Sequence, residues 1–236
     1  MSRLEVAAVT VRFGGRLALD AVDFAAERGT VTGLIGPNGA GKTTLFNVIC
    51  GLQPPERGRV RIDGHDVTKL APFKRSRRGL ARTFQRLEPF GLLTVWENIR
   101  LAADAGGRDH PDAVADDLLA RLGIAELAPQ RPDRLPTGQA RMVELARALA
   151  TDPKVLLLDE PASGQDDRET AAFSTVVREV AAEGVAVVLV EHDIQLVMDV
   201  CDHIAVLDLG RVLASGPPAE VQRDEAVLAA YLGAGR

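Results

Sequence analysis

The chain has 236 residues, 46% of them hydrophobic and 26% charged, which suits one large or two small folded domains and is long enough to bury a proper core. Its 28 basic and 33 acidic side chains leave a net charge of −5, which excludes a histone-like or polybasic role in which a global positive field draws the protein onto nucleic acid or anionic lipid. The densest apolar stretches, 155–158 and 185–190, run straight into Asp159 and Glu191, far short of the roughly 18 apolar residues that a membrane crossing takes. The first residues lack an apolar signal region behind a basic one. The only cysteines, Cys50 and Cys201, lie far apart in apolar surroundings, a pattern of packed thiols in a reducing, cytoplasmic compartment.

In chain order, short strands are expected over 4–11, 23–27 and 31–35, followed by a glycine-rich turn and a helix over 42–50. Short strands at 60–62 and 80–84 precede a mainly helical middle, with apolar residues at helical spacing over 95–103 and 113–122 and a surface loop over 104–111 between them. Trp96, with Val95 and Ile99, reads as the packed face of the first of these helices. Lys74-Arg75-Ser76-Arg77-Arg78 reads as a solvated helix face in preference to a docking patch for a partner or anionic headgroups. Helices over 141–150 and 168–182 flank the β-branched runs 155–158 and 185–190, which have the character of buried strands in a parallel sheet. A terminal hairpin is expected over 204–207 and 212–214, around Leu209-Gly210-Arg211.

Gly36-Pro37-Asn38-Gly39-Ala40-Gly41-Lys42-Thr43, with Thr44 next, fits the phosphate-cradling loop at every fixed position and lies between a predicted strand and a predicted helix. The glycines let successive N–H groups wrap an anion, the helix start adds its dipole, Lys42 can reach β and γ phosphates, and the Thr43 hydroxyl can ligate Mg²⁺. The run Val155-Leu156-Leu157-Leu158-Asp159-Glu160 ends a buried strand in two acids, at the edge where open α/β sheets bind ligands. Alternation along the strand sends the two side chains different ways, one toward the metal and its waters and the other toward an attacking water. No Cys/His cluster has metal-site spacing, and no Ser-His-Asp arrangement stands out.

With Leu135-Pro136-Thr137-Gly138-Gln139 leading into a helix and Asp159-Glu160-Pro161 shortly after, the chain resembles the ATP-binding subunit of an ABC transporter over essentially its whole length. The stretch 35–46, Arg82-Thr83-Phe84-Gln85, Val190-Glu191-His192-Asp193 and Leu228-Ala229-Ala230-Tyr231-Leu232-Gly233 are similar to the branched-chain amino acid importer subfamily. The resemblance implies an α/β P-loop NTPase fold with a mostly parallel core sheet, an N-terminal antiparallel β region and an inserted helical subdomain at about 88–150, all within one ATP-binding domain spanning 1–236. It implies Phe13 stacking on adenine, Gln85 reaching Mg²⁺ and the attacking water, Asp159 on the metal side, Glu160 as general base, His192 on the γ-phosphate and Asp166 in a loop that crosses a dimer interface. Thr137, Gly138 and Gln139 would meet the γ-phosphate bound on a second ATP-binding subunit, arranged head to tail. Three positions depart from the family pattern. Pro136 and Thr137 stand where Ser and Gly are usual, and Gln165 stands where Leu is usual; with no hydroxyl at Pro136, the Gly138 N–H and Thr137 hydroxyl are expected to make the phosphate contact.

The implied cofactors are ATP and Mg²⁺. The implied partners are integral membrane permease subunits and, indirectly, an extracytoplasmic substrate-binding protein, with no nucleic acid and with the chain peripheral on the inner membrane face. A small-molecule P-loop kinase or GTPase is the rival from another class, but it has no use for residues 135–139, and a guanine-reading Asn-Lys-x-Asp element is absent. An ABC ATPase serving urea import, lipid export or a soluble assembly machine is the other alternative.

Overall fold

The computed structural model describes residues 2–84 and 88–233. Two sheets carry it. In the first, β1 (Ser2–Phe13) pairs antiparallel with β2 (Arg16–Glu27) on one side and β4 (Arg57–Ile62) on the other, with β5 (His65–Asp66) outside β4. The second has the order β10-β9-β3-β8-β7-β6 and comprises β3 (Val31–Ile35), β6 (Leu80–Arg82), β7 (Val155–Asp159), β8 (Ala186–Val190), β9 (His203–Asp208) and β10 (Arg211–Gly216). All its pairs are parallel except the hairpin β9–β10. Every residue of β3, β7 and β8 is buried, as the unbroken apolar runs require of parallel strands covered on both faces.

Alternation along β7 divides the core in two. Leu156 and Leu158 pack with Ile99, Leu145, Phe173 and Val197, whereas Val155 and Leu157 pack with Leu4, Phe46, Ile49 and Val60. The first face is covered by α3 (Val95–Ala105), α4 (Pro111–Arg121) and α5 (Thr137–Ala150), which follow one another between β6 and β7, and by α6 (Asp167–Ala182) and α7 (Ile194–Val200). The second face is covered by α1 (Lys42–Cys50) and the antiparallel sheet. Short α2 (Pro72–Ser76), α8 (Pro218–Val221) and α9 (Glu225–Gly233) complete the described elements. The chain is thus α/β with a mostly parallel core sheet, an N-terminal antiparallel sheet and a helical stretch inserted between two core strands, the class expected from the sequence.

The first two strands are longer than their apolar patterns. Ala8 and Ala21 have positive φ (49° and 50°), and the β1–β2 register shifts beside them, so the in-out alternation is broken there. Side chains compensate for the lost ladder bonds: Ala8 N donates to Asp23 Oδ1 (2.8 Å) and Ala21 N to Thr10 Oγ1 (3.2 Å). The basic run at 74–78 is not wholly solvated. Lys74, Arg77 and Arg78 are exposed, but Arg75 is buried and donates to the carbonyls of Val48, Ile49, Thr68 and Leu70 at 2.7–3.0 Å. The last turn of α1 leaves carbonyls without helical partners. Arg75 satisfies two of them, so one member of the charge run is a helix C-cap. Cys50 and Cys201 are buried, free thiols, and Trp96 packs on the core while its indole N–H donates to Asp116 (2.7 Å), as the sequence led us to expect.

Candidate active site

The loop between β3 and α1 is threaded tightly under β9. Gly36 has φ +147°, and a Cβ there would sit 1.9 Å from the Leu207 carbonyl oxygen, so only glycine fits. Beyond this pinch the loop opens onto a cavity of about 630 Å³ lined by Asn38 to Thr44, Glu160, His192, Phe13 and Leu209 among others. Phe13 is 51% exposed at its rim, an aromatic face offered to a ligand. Free N–H groups at the start of α1 occupy the other end, where an anion is favoured. Lys42 is buried there and folds over its own loop, its Nζ donating to the carbonyls of Gly36 (2.5 Å) and Pro37 (3.1 Å). Burial holds its pKa below the ordinary lysine value, against the opposing pull of Glu160 and Asp159. A partly desolvated ammonium resting on two carbonyls is well placed to be recruited by phosphate oxygens.

The two acids diverge as expected, with a backbone turn adding to the strand's alternation. Asp159 is the last residue of β7 and lies between sheet and α1, where Arg82 Nη2 approaches its Oδ2 at 2.8 Å. Glu160 takes φ +50°, leaves the strand while its N–H donates to Val190 O (2.9 Å), and sets Oε1 2.7 Å from His192 Nε2. Glu191 secures this pairing from behind. Its buried carboxylate accepts from Ala162 N (2.7 Å) and His192 N (3.1 Å), tying the turn after β7 to the turn after β8, and burial raises its pKa. Thr43 and Thr44 line the same cavity, so Lys42, Thr43, Glu160 and His192 converge there. Gln85 lies outside the described residues.

Thr137, Gly138, Gln139 and Asp166 do not line the cavity. Thr137, Gly138 and Asp166 form a second cluster with α6 and the loop before it. Gly138 packs so closely that an added Cβ would meet the Glu169 carboxylate at 2.2 Å, and Gly164 abuts the Thr137 side chain. Asp166 caps α6 in a reciprocal box, its Oδ1 accepting from Glu169 N (2.8 Å) while Glu169 Oε2 accepts from Asp166 N (3.1 Å). Pro136 occupies the N-cap of α5, leaving the first N–H groups of that helix without a side-chain cap. The Gln165 amide is buried with no hydrogen-bond partner among the described residues. Within one chain, therefore, the phosphate loop with Glu160 and His192 and the start of α5 with Asp166 are separate clusters.

Several contributors stood in quoted motifs or were passed over, but nothing in the sequence gave their roles. Arg82 also reaches Asn47 Oδ1 (2.7 Å) and lies over the rings of Phe46 and Phe84. Phe84 is clamped to α5 by main-chain bonds to Glu144 (3.1 Å) and Arg141 (2.8 Å), two buried residues that also pair with each other. In α9 the Tyr231 hydroxyl is hydrogen-bonded by the Gly36 backbone, linking the C-terminal helix to the phosphate loop.

The family model for ABC transporters matches residues 19–163. The chain belongs to the ABC transporter family, as one of its ATP-hydrolysing subunits. A second model, for branched-chain amino acid ATP-binding cassette transporters, matches residues 211–236, the segment that delivers Tyr231 to Gly36. The chain is 38% identical to the high-affinity branched-chain amino acid transport ATP-binding protein BraF of Pseudomonas aeruginosa, over 99% of both proteins. Among solved structures it is similar to the ADP conformation of the ABC transporter cassette MJ1267, with a TM-score of 0.89 and 30% identity over 99% of each chain. It is also similar to the cassette MJ0796, a dimer in a post-hydrolysis state bound to ADP and Pi, with a TM-score of 0.81 and 26% identity over 91% of this chain and 98% of that one.

Proposed function

We propose that this chain is the ATPase subunit of an importer for branched-chain or related amino acids and amides. It works as one cassette over 1–236, with the helical stretch at about 88–150 as a subdomain, on the cytoplasmic face of a membrane and against a separate permease. The observation that carries this reading is the divided site: a phosphate cradle with its acids on one surface and the Thr137–Gln139 helix start with Asp166 on another. Neither half encloses a triphosphate, so a second ATP-binding subunit, head to tail, supplies the missing half to each.

Within one sandwich Phe13 stacks on adenine, the N–H groups of Gly36 to Thr44 hold the phosphates, and Lys42 leaves its loop carbonyls for the β and γ oxygens. The Thr43 hydroxyl, Asp159 and Gln85 offer the hard oxygen ligands that would hold Mg²⁺, which would neutralise the charge of the phosphates. Glu160 accepts the proton of the attacking water, and His192, held by Glu160 and Glu191, contacts the γ-phosphate. From the facing subunit, the Thr137 hydroxyl and the Gly138 and Gln139 N–H groups complete the anion site that Pro136 cannot serve. The permease docks on a groove of about 820 Å³ between α2, β6, α3 and α5, whose wall carries exposed Leu52, Phe73, Phe84, Phe90 and Leu101. The described residues contain no helix long and apolar enough to cross a membrane, which is consistent with this division of labour.

Reconstitution with the permease and a leucine-loaded binding protein in liposomes is expected to raise ATP hydrolysis about 5- to 150-fold, the range of a coupling of roughly 1–3 kcal/mol. Stimulation only by urea-loaded binding protein or by lipid, with none by leucine, would replace this substrate assignment.

A further inference from the structure

Arg82 has no part in the chemistry above, yet it is the most heavily engaged side chain beside the acid pair. It ends β6, its side chain is 8% exposed, and its two terminal nitrogens are divided between two elements: Nη2 to Asp159 Oδ2 (2.8 Å) and Nη1 to Asn47 Oδ1 on α1 (2.7 Å). The guanidinium carbon lies over the rings of Phe46 (5.5 Å to the ring centre) and Phe84 (4.8 Å). Its Nε is buried without a partner among the described residues. As a device for stability alone this is a poor choice, since a buried ion pair struggles to recover its desolvation and an orphaned buried N–H adds to the loss. What the arrangement delivers is orientation. A rigid planar fork, set against two aromatic rings and tied to α1, holds Asp159 through Oδ2, and among the described residues Oδ1 accepts no hydrogen bond.

We infer that Arg82 is a positioning residue for ATP hydrolysis, fixing the Asp159 carboxylate relative to the phosphate-loop helix so that its second oxygen is presented in one geometry. The inference rests on the reading of Asp159 as the acid on the metal side of the triphosphate. Asn47 belongs to the same device, one step further out, because it holds Arg82 without touching Asp159. Reaction rates fall steeply with small misplacements of such groups, whereas the affinity of the phosphate loop for ATP does not depend on this carboxylate.

The test is steady-state Mg-ATP hydrolysis by the full chain, alongside ATP binding in EDTA, for R82Q, R82K, N47A, D159N and R82Q/D159N. We expect R82Q to lower kcat about 10- to 100-fold with KM for ATP and metal-free ATP affinity within about threefold of the parent. R82K should fall between the two, because one ammonium cannot serve both the carboxylate and the amide, and N47A should lower kcat by less than R82Q, also without a change in KM. On the D159N background R82Q should cost less than about threefold more, since its effect passes through the carboxylate already removed. Additive losses in R82Q/D159N, an unchanged kcat in R82Q, or parallel losses of kcat and metal-free ATP binding would overturn the inference. If R82Q does not fold, R82K and N47A carry the same kcat-against-KM comparison. D159N with a normal kcat would instead remove the reading of Asp159 on which the inference stands.

Discussion

Glu160→Gln is expected to slow ATP hydrolysis about 10²- to 10⁴-fold, the usual worth of a general base, while leaving ATP binding intact. The change is close to isosteric, so the φ +50° turn, the Glu160 N–H bond to Val190 and a side-chain contact with His192 can all persist. What disappears is the capacity to take a proton from water. With hydrolysis stalled, the nucleotide remains between two half-sites and holds them together, so the variant should elute with twice the monomer's mass in Mg-ATP and as monomer in ADP. Single-turnover hydrolysis and light scattering on a sizing column read both effects. A variant that hydrolyses at the parental rate would remove Glu160 from the role of base, and one that stays monomeric with bound ATP would count against the sandwich.

Lys42→Ala should act on the earlier step. A lysine here donates charge-assisted bonds to the phosphates, worth about 1.5–3 kcal/mol, so its loss weakens ATP binding about 10- to 100-fold. The unliganded protein should tolerate the change well. Alanine leaves the carbonyls of Gly36 and Pro37 without the ammonium, but it also removes a partly desolvated charge whose pKa burial holds down, and these contributions oppose each other. Melting within a few degrees of the parent, combined with a large loss in ATP affinity by calorimetry, is the expected pattern. Normal affinity would mean that the loop binds something other than a triphosphate. Comparison with Glu160→Gln separates binding from chemistry, because one variant should lose what the other retains.

The phosphate loop, the acid pair and the core strands were legible because local chemistry dictates them. Gly36 to Gly41 joins β3 to α1 and Lys42 and Thr43 open that helix, as the spacing predicts, and runs such as Val155–Asp159 admit little besides a buried parallel strand. Legibility fails where a side chain's task is set by something distant in sequence. Arg75 sits in a charge run that periodicity assigns to solvent, and its actual partners are carbonyls of α1, 26 and 27 residues away. Arg82 in a three-residue strand gives no hint of Asp159, 77 positions later. The bulge at Ala21 hid the first half of β2, residues 16–22, since nothing about alanine announces a positive φ, whereas β1 was foreseen through Ala8 and missed only at its ends. The start of α5 at Thr137, four residues ahead of the expected helix, was masked by Pro136 and Gly138, which depress helical pattern but suit an N-terminus. Asp166 shows the opposite case: the resemblance implied an intersubunit role, and what its geometry within the chain shows is the N-cap of α6.

Closure of the site between two copies is tested most directly by cross-linking in trans. One preparation carries Asn38→Cys in the phosphate loop, another carries Thr137→Cys at the start of α5, and both also carry Glu160→Gln. The native thiols are silent in this experiment, because both are buried and burial pushes the Cys201 pKa up to about 12. Mixed in Mg-ATP with a short bifunctional thiol reagent, the two proteins should give a covalent dimer joining position 38 to position 137, and neither should do so in ADP. Absence of that product in ATP, or equal yield with and without ATP, would contradict a nucleotide sandwiched between the two half-sites.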